Sequence, residues 1–326
     1  MAAVDVMSSP WDLDRLPGLL LPDIAGASFL SWSAVAAAAL YVVALVRDRR
    51  PGARTPWWRA AAFLLGCGLV WLTTGTGLER AGSTFFSIFM LQQLTLMIVA
   101  PSLLVLGSPG RLMLRTVPHR GAGRVLLRFG LGLLRSRTAA VLLHPVVGIG
   151  LFLLAYYGLY LTGVADLLVR EPVGHGLLEV LFLVSGLLFA LPVLGSDPMP
   201  RRVTHGERAL DVFVEMGLHA FFGVLIMVWS TPVVPTFARA TLAAGGSPLG
   251  DQAIAGGLAW SYGEGPAVLT LLYVMHRWFR ADSAAAERED ARSDGGVVDE
   301  LAAYNEYLAR LAARDAPQAS DMQDRR

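Results

Sequence analysis

Long apolar segments alternate with short arginine-rich segments along most of this chain. A helix needs about 20 mostly apolar residues to cross the roughly 30 Å hydrocarbon core of a bilayer. Charged residues make up 16% of the chain, whereas a typical soluble domain contains about 25%. The sequence therefore predicts an all-α, polytopic membrane helix bundle with seven transmembrane helices. The predicted spans are approximately 28–46, 57–74, 83–107, 139–162, 175–194, 209–230 and 252–279.

The arginines collect in every second loop. The loops after predicted spans one, three and five are rich in arginine, and the opposite loops contain few. Basic loops stay on the cytoplasmic side of a membrane, so the N terminus is predicted outside and the C terminus in the cytoplasm. We predict an extracytoplasmic leader over 1–27, a seven-span membrane domain over 28–279 and a cytoplasmic tail over 280–326. Apolar side chains at helical spacing over 300–315 predict a short amphipathic helix in that tail.

Several classes of function are excluded by what the sequence lacks. A single cysteine, Cys67, excludes an internal disulfide framework and a CxxC pair. No GxxxxGK[ST], GxSxG or HExxH motif is present, which excludes an ATP-driven pump built from this chain alone. The basic, partly amphipathic segment 111–137 is predicted to lie on the lipid surface, and no nucleic-acid partner is expected.

Ionisable side chains inside the predicted spans are candidate functional residues, because each costs about 2.5–3.5 kcal/mol on insertion scales. His175 and Glu179 are four residues apart in span five, His219 lies in span six and Glu264 in span seven. Imidazole and carboxylate groups are compatible with a first-row transition metal. We therefore predict a metal site of these four residues, on the assumption that spans five to seven are neighbours. Ion pairs or hydrogen bonds between helices are the structural alternative.

Several stretches of the chain resemble the CtaG family of cytochrome c oxidase assembly proteins in its actinobacterial form. The resemblance implies a seven-span factor of the bacterial plasma membrane that contacts oxidase subunits and helps to deliver or insert copper. It implies no enzymatic turnover. The stretches are TGTGLERAGSTFFSIFMLQQLTLMIVAPSLLVLGSP (74–109), VGHGLLEVLFLVSGLLFALPVLGSDPMPRR (173–202), HAFFGV (219–224), DQAIAGGLAWSYGE (251–264) and LAAYNEYLARLAARD (301–315).

The chain departs from the family pattern at the positions that the resemblance links to copper. Family members have HMxQH in span three and HxxMHxH in span five. His175 remains from the second motif, and the residues found at the other histidine and methionine positions are Phe89, Gln93, Leu178, Glu179 and Leu181. Most of the expected histidine-rich face is therefore replaced.

Three functions remain open from the sequence. The first is an oxidase assembly factor that assists copper delivery or subunit maturation. The second is a diverged, metal-free membrane scaffold that docks through its C-terminal helix. The third is a proton-coupled small-solute permease whose relay residues are Glu179, Asp211, Glu215 and Glu264.

Overall fold

Every regular element in the described part of the chain is a helix. The computed structural model describes residue 11 and residues 16–48, 55–134, 136–195 and 204–323. Two π-helical turns, Thr95–Val99 and Leu154–Gly158, continue the helices on either side of them. The α-helices are α1 (Leu16–Leu20), α2 (Phe29–Arg47), α3 (Trp57–Thr74), α4 (Gly77–Gly82), α5 (Phe86–Leu94), α6 (Ala100–Leu106), α7 (Pro109–Thr116), α8 (Gly121–Leu134), α9 (Arg137–Leu142), α10 (Pro145–Leu153), α11 (Leu159–Leu161), α12 (Val164–Val169), α13 (Pro172–Leu194), α14 (His205–Val228), α15 (Pro235–Ala243), α16 (Pro248–Ser261) and α17 (Glu264–Gln323).

Four helices of the described chain are long and apolar enough to cross a membrane. They coincide with predicted spans one, three, five and six, so the prediction of an all-helical fold with several helices of membrane-crossing length and hydropathy is confirmed for the described chain. The count of seven spans and the orientation of the termini stay predictions. The four helices are Phe29–Arg47, Phe86–Thr116, Val173–Leu194 and His205–Val228.

The three other predicted spans correspond to shorter or interrupted helices. Helix α3 has the bounds predicted for span two. Span four begins with α9 and then breaks before His144, which caps the 17-residue apolar helix Pro145–Leu161. The helix over predicted span seven, 252–279, is interrupted, because the chain turns at Tyr262 and Gly263 between α16 and α17.

Two helices are capped by carboxylates that lie far away in the sequence. The residues preceding α5 and α15 provide no side-chain cap. Asp251 accepts hydrogen bonds from the backbone N–H of Phe86 at 2.6 Å and of Ser87 at 3.3 Å. Asp166 accepts one from the N–H of Thr236 at 2.7 Å. Since the first N–H groups of a helix lack intrahelical acceptors, these carboxylates fix α5 to α16 and α15 to α12.

The π-helical turn Thr95–Val99 has a local cause in Pro101. Proline has no N–H to donate to the carbonyl four residues earlier, and its ring crowds that carbonyl. The carbonyl in question belongs to Met97, and Gly186 of α13 packs directly against it and against the Pro101 ring. A side chain at Gly186 would occupy the same space. The widened turn and this glycine therefore let α13 lie close to α6.

Helices α14 and α16 pack closely against each other through two glycines. A Cβ atom at Gly223 would lie 2.8 Å from the carbonyl oxygen of Gly256, and one at Gly256 would lie 2.6 Å from that of Gly223. Small residues allow helix backbones to approach closely inside a membrane. This contact fixes the sixth predicted span against the first part of the seventh.

The chain divides into two compact units, Met1–Val274 and Met275–Arg326. The described part of the second unit is the distal part of α17, and the segment predicted as a short amphipathic helix lies within it. Its apolar side chains Leu301, Tyr304, Tyr307 and Leu308 are exposed, and Arg310 pairs with Glu306 at 2.7 Å. The predicted domain boundaries stay predictions.

Candidate functional site

Three helix ends bring a group of polar side chains together inside the first unit. Ser28 is the N-cap of α2, Glu79 lies in α4 just after α3, and His175 lies in the first turn of α13. Glu179 follows one helical turn after His175. We call Glu79, His175 and Glu179 the polar cluster.

The polar cluster is compact and largely buried. His175 Nε2 lies 3.3 Å from Glu79 Oε1 and 4.0 Å from Glu179 Oε1. One ligand atom from each residue lies within 4.8 Å of the others. His175 is 8% exposed and Glu179 2%. The two carboxylates therefore face one imidazole nitrogen, with His175 and Glu179 buried and Glu79 partly exposed.

Each carboxylate is oriented through its second oxygen. Gln92 Nε2 donates to Glu79 Oε2 at 2.9 Å and to the carbonyl of Thr73 at 2.8 Å. Ser28 Oγ donates to Glu179 Oε2. Gly82 makes room for Gln92, because a Cβ at this glycine would lie 2.8 Å from the amide carbon of Gln92 and closer still to its oxygen.

Aromatic rings fill the space beside the polar cluster. Phe89 is 1% exposed, and its ring centroid lies 5.3 Å from that of His175. It also packs against Phe182 at 5.9 Å and Phe237 at 5.1 Å. Leu178 is buried as well. Two of the positions that the family resemblance links to copper therefore hold packed apolar side chains.

Gln93, at the other replaced position of span three, has its own buried partners. Its side chain donates to the carbonyl of Ala155 at 3.2 Å and accepts a hydrogen bond from the hydroxyl of Tyr160. Both partners lie in the segment around the second π-helical turn. Gln93 thus joins α5 to the helix of predicted span four.

His219 belongs to a second buried group. Its Nδ1 lies 3.1 Å from the carbonyl oxygen of Glu215 and 3.5 Å from Glu215 Oε1. Glu264 interacts with it electrostatically. Its ring is held against Gly263, where a Cβ would lie 2.6 Å from Nε2. The break between α16 and α17 therefore accommodates this histidine.

The structure places the four predicted metal ligands in two groups. His175 and Glu179 lie with Glu79, and His219 lies with Glu215 and Glu264; in the described chain the group within 4.8 Å includes neither His219 nor Glu264. Helix α14 does contact both α13 and α16, as the prediction required. However, His219 lies nine residues before the end of α14 and His175 only three after the start of α13. At 1.5 Å per residue, His219 lies about 14 Å from the end of α14 and His175 about 5 Å from the start of α13.

Sequence reasoning missed Glu79. It lies in the loop between predicted spans two and three, on the same side of the predicted bundle as the start of span five. That shared side was the signal that could have found it.

A cavity of about 740 Å³ opens beside the polar cluster. Its lining includes Ser28, Glu79 and His175, together with Arg80 and Arg170. The two arginines pair with Asp23 and Asp166. The cavity gives small molecules or ions a route to the cluster.

These features define a helical protein with four described helices long and apolar enough to cross a membrane, and with a buried carboxylate–imidazole cluster at the meeting point of three helix ends. A family model described as cytochrome c oxidase caa3 assembly factor (Caa3_CtaG) matches residues 39–281. The chain belongs to this family, which confirms the resemblance seen in the sequence.

Curated relatives come from mycobacteria. Uncharacterized proteins of Mycobacterium bovis and Mycobacterium tuberculosis are each 37% identical over 289 residues, covering 87% of this chain and 44% of the relative. One of Mycobacterium leprae is 37% identical over 279 residues, covering 83% and 42%. The chain thus spans less than half the length of these relatives. No solved structure matches it.

Proposed function

We propose that this protein is an integral, multi-pass assembly factor for cytochrome c oxidase in the bacterial plasma membrane, and that it acts by contacting oxidase subunits without catalysing a reaction. The family match over 39–281 is the observation that carries this proposal. The four helices of membrane-crossing length support a protein that contacts oxidase subunits within the bilayer.

The proposed role does not include the transfer of Cu(I) along the face formed by spans three and five. Cu(I) prefers thiolate, thioether and imidazole ligands. Phe89 and Leu178 offer no lone pair at positions where the resemblance implies ligands, and both are buried. Gln93 is already engaged by Tyr160 and Ala155. The residues present do not fit a Cu(I) site on this face, so we propose that maturation is assisted through protein contacts and not by passing Cu(I) along it.

The proposal is tested by affinity purification of the full chain from its native membrane after mild chemical cross-linking. Oxidase subunits are expected in the eluate at a stoichiometry well above that of unrelated membrane proteins. An equally abundant membrane protein carrying the same tag serves as the control. Equal recovery of oxidase subunits with both baits contradicts the proposal.

A second measurement addresses copper. The purified chain is loaded with Cu(I) under reducing conditions and its metal content is determined. We expect less than stoichiometric copper, both in the wild-type chain and in Phe89→Leu. One tightly bound Cu(I) per chain that is lost in His219→Ala contradicts this part of the proposal.

A further inference from the structure

We propose that Glu79, His175 and Glu179 bind one divalent transition-metal ion of the Zn²⁺ class, through one imidazole nitrogen and two carboxylate oxygens. Glu79, which the sequence pattern did not indicate, is an essential ligand of this site. The inference is independent of the assembly role, because the chain can bind the ion whether or not it contacts the oxidase.

The spacing of the donor atoms fits such an ion. Zinc binds imidazole nitrogen and carboxylate oxygen at about 2.0–2.2 Å, so tetrahedral neighbours lie about 3.3–3.6 Å apart. His175 Nε2 and Glu79 Oε1 are 3.3 Å apart. His175 Nε2 and Glu179 Oε1 are 4.0 Å apart, a separation that a small rotation of either side chain closes.

Two of the three donor atoms that face the site lack an outside partner. His175 Nε2 and Glu179 Oε1 are buried, and among the described residues neither has a hydrogen-bond partner beyond the polar cluster itself. A buried polar atom without a partner destabilises the folded chain, and more strongly when it is charged. A bound cation satisfies both atoms at once.

The surrounding hydrogen bonds select which oxygens remain available. Gln92 donates a hydrogen bond to Oε2 of Glu79, and Ser28 donates one to Oε2 of Glu179. Both Oε1 atoms are therefore left facing the imidazole. Orientation of ligands by such outer hydrogen bonds is typical of metal sites. This arrangement leaves three donor atoms within 4.8 Å of one another.

The charge balance also favours a cation. Two carboxylates approach each other beside a single imidazole, and the nearby Arg80 and Arg170 already pair with Asp23 and Asp166. The donor set of one nitrogen and two oxygens suits a borderline divalent ion better than Cu(I). With three protein ligands, a fourth position remains toward the cavity lined by Glu79 and His175, as in zinc sites that bind water or a further ligand.

The test is a titration of the full chain in detergent, stripped of metal with chelator, with Zn²⁺ and separately with Cu(I). Wild-type protein is expected to bind one Zn²⁺ per chain in preference to Cu(I). Glu79→Gln and His175→Gln each remove one ligand and are expected to weaken Zn²⁺ binding by at least about 10- to 100-fold. The matched controls Glu306→Gln and His119→Gln change exposed residues elsewhere and should bind as wild type.

Gel filtration and helical circular dichroism of each variant separate ligand loss from misfolding, and Glu79→Gln keeps the shape and the Gln92 contact of the native side chain. Wild-type protein that binds no more Zn²⁺ than the Glu79→Gln variant overturns the proposal, as does stoichiometric binding that survives both substitutions. Neither result affects the test of the assembly role, whose readout is recovery of oxidase subunits.

Discussion

Phe89 packs its ring against the imidazole of His175, with ring centroids 5.3 Å apart. The two side chains come from α5 and α13, and the same phenylalanine also touches Phe182 and Phe237. The face that the family resemblance links to copper is therefore an aromatic contact in this chain. The remaining donors lie on the other side of His175, toward Glu79 and Glu179.

Phe89→Ala is expected to destabilise the protein, because it removes a fully buried ring from contact with three others. Loss of a buried phenylalanine costs about 3–5 kcal/mol of the free energy of unfolding. Thermal unfolding in detergent, followed by circular dichroism, measures the effect. Phe129→Ala is the control, since Phe129 is 71% exposed, and an equal loss of stability in both variants would show that the packing around His175 is not as described.

Gly223→Ala is expected to disrupt the pairing of α14 with α16. The added methyl group meets backbone atoms of Gly256 and Trp260, which cannot move aside as a flexible side chain can, and overpacking costs about 1–3 kcal/mol. Gly217→Ala on the same helix meets nothing within 4 Å and gains helix propensity. We expect Gly217→Ala to melt at or above the temperature of the wild type, and Gly223→Ala to melt clearly below it. The reverse order would contradict the close contact between α14 and α16.

Gly82→Ala is expected to weaken the proposed Zn²⁺ site without changing a ligand. The new Cβ displaces the Gln92 amide, and Glu79 then loses the hydrogen bond that orients it. Loss of such an outer contact typically lowers metal affinity by about 10- to 100-fold. Gly68→Ala, where a Cβ meets nothing within 4 Å, should leave Zn²⁺ binding unchanged. Unaltered Zn²⁺ affinity in Gly82→Ala would mean that Gln92 does not hold Glu79 in place.

The cap that Asp166 provides to α15 predicts a pH-dependent contribution to stability. Burial raises the pKa of Asp166, but hydrogen bonds from Thr236 and the ion pair with Arg170 outweigh it, and the pKa lies below its ordinary value of 3.8. A carboxylate whose pKa is depressed on folding stabilises the folded state fully above the ordinary pKa, and this contribution disappears as the pH falls through the lowered one.

Asp166→Asn should therefore have a lower melting temperature than wild type at pH 7 and at pH 5. The difference in melting temperature should become smaller once the pH falls below about 3.8. Thermal melts across this range measure the gap. The exposed Asp282→Asn provides the comparison. A gap that is constant down to the lowest pH would mean that the charge of Asp166 contributes nothing.

The apolar segments predicted the main helices because their signal is local. Length and hydropathy mark α2, α13 and α14 without reference to the rest of the chain. The break at Gly263 was missed because a continuous helix and an interrupted helix can have the same hydropathy. It follows from the contact between this glycine and His219, which lies in another helix.

The candidate site was predicted in part. His175 and Glu179 share one helical face, and their i, i+4 spacing identified them. Glu79 and the capping carboxylate Asp251 act across more than 90 residues of sequence, so no local pattern indicates their partners. His219 lies with Glu215 instead, because residues on neighbouring helices can lie at different depths, and a metal site of the four predicted residues stays a prediction.

The central claim is that this protein assists oxidase assembly in the membrane through protein contacts. Its most direct test is the amount of assembled cytochrome c oxidase, measured from haem difference spectra of membranes, in a strain that lacks the gene. We expect less assembled oxidase, restored by the wild-type chain and equally by Phe89→Leu, which offers no metal ligand. Oxidase at the normal level in the strain without the gene would contradict the account.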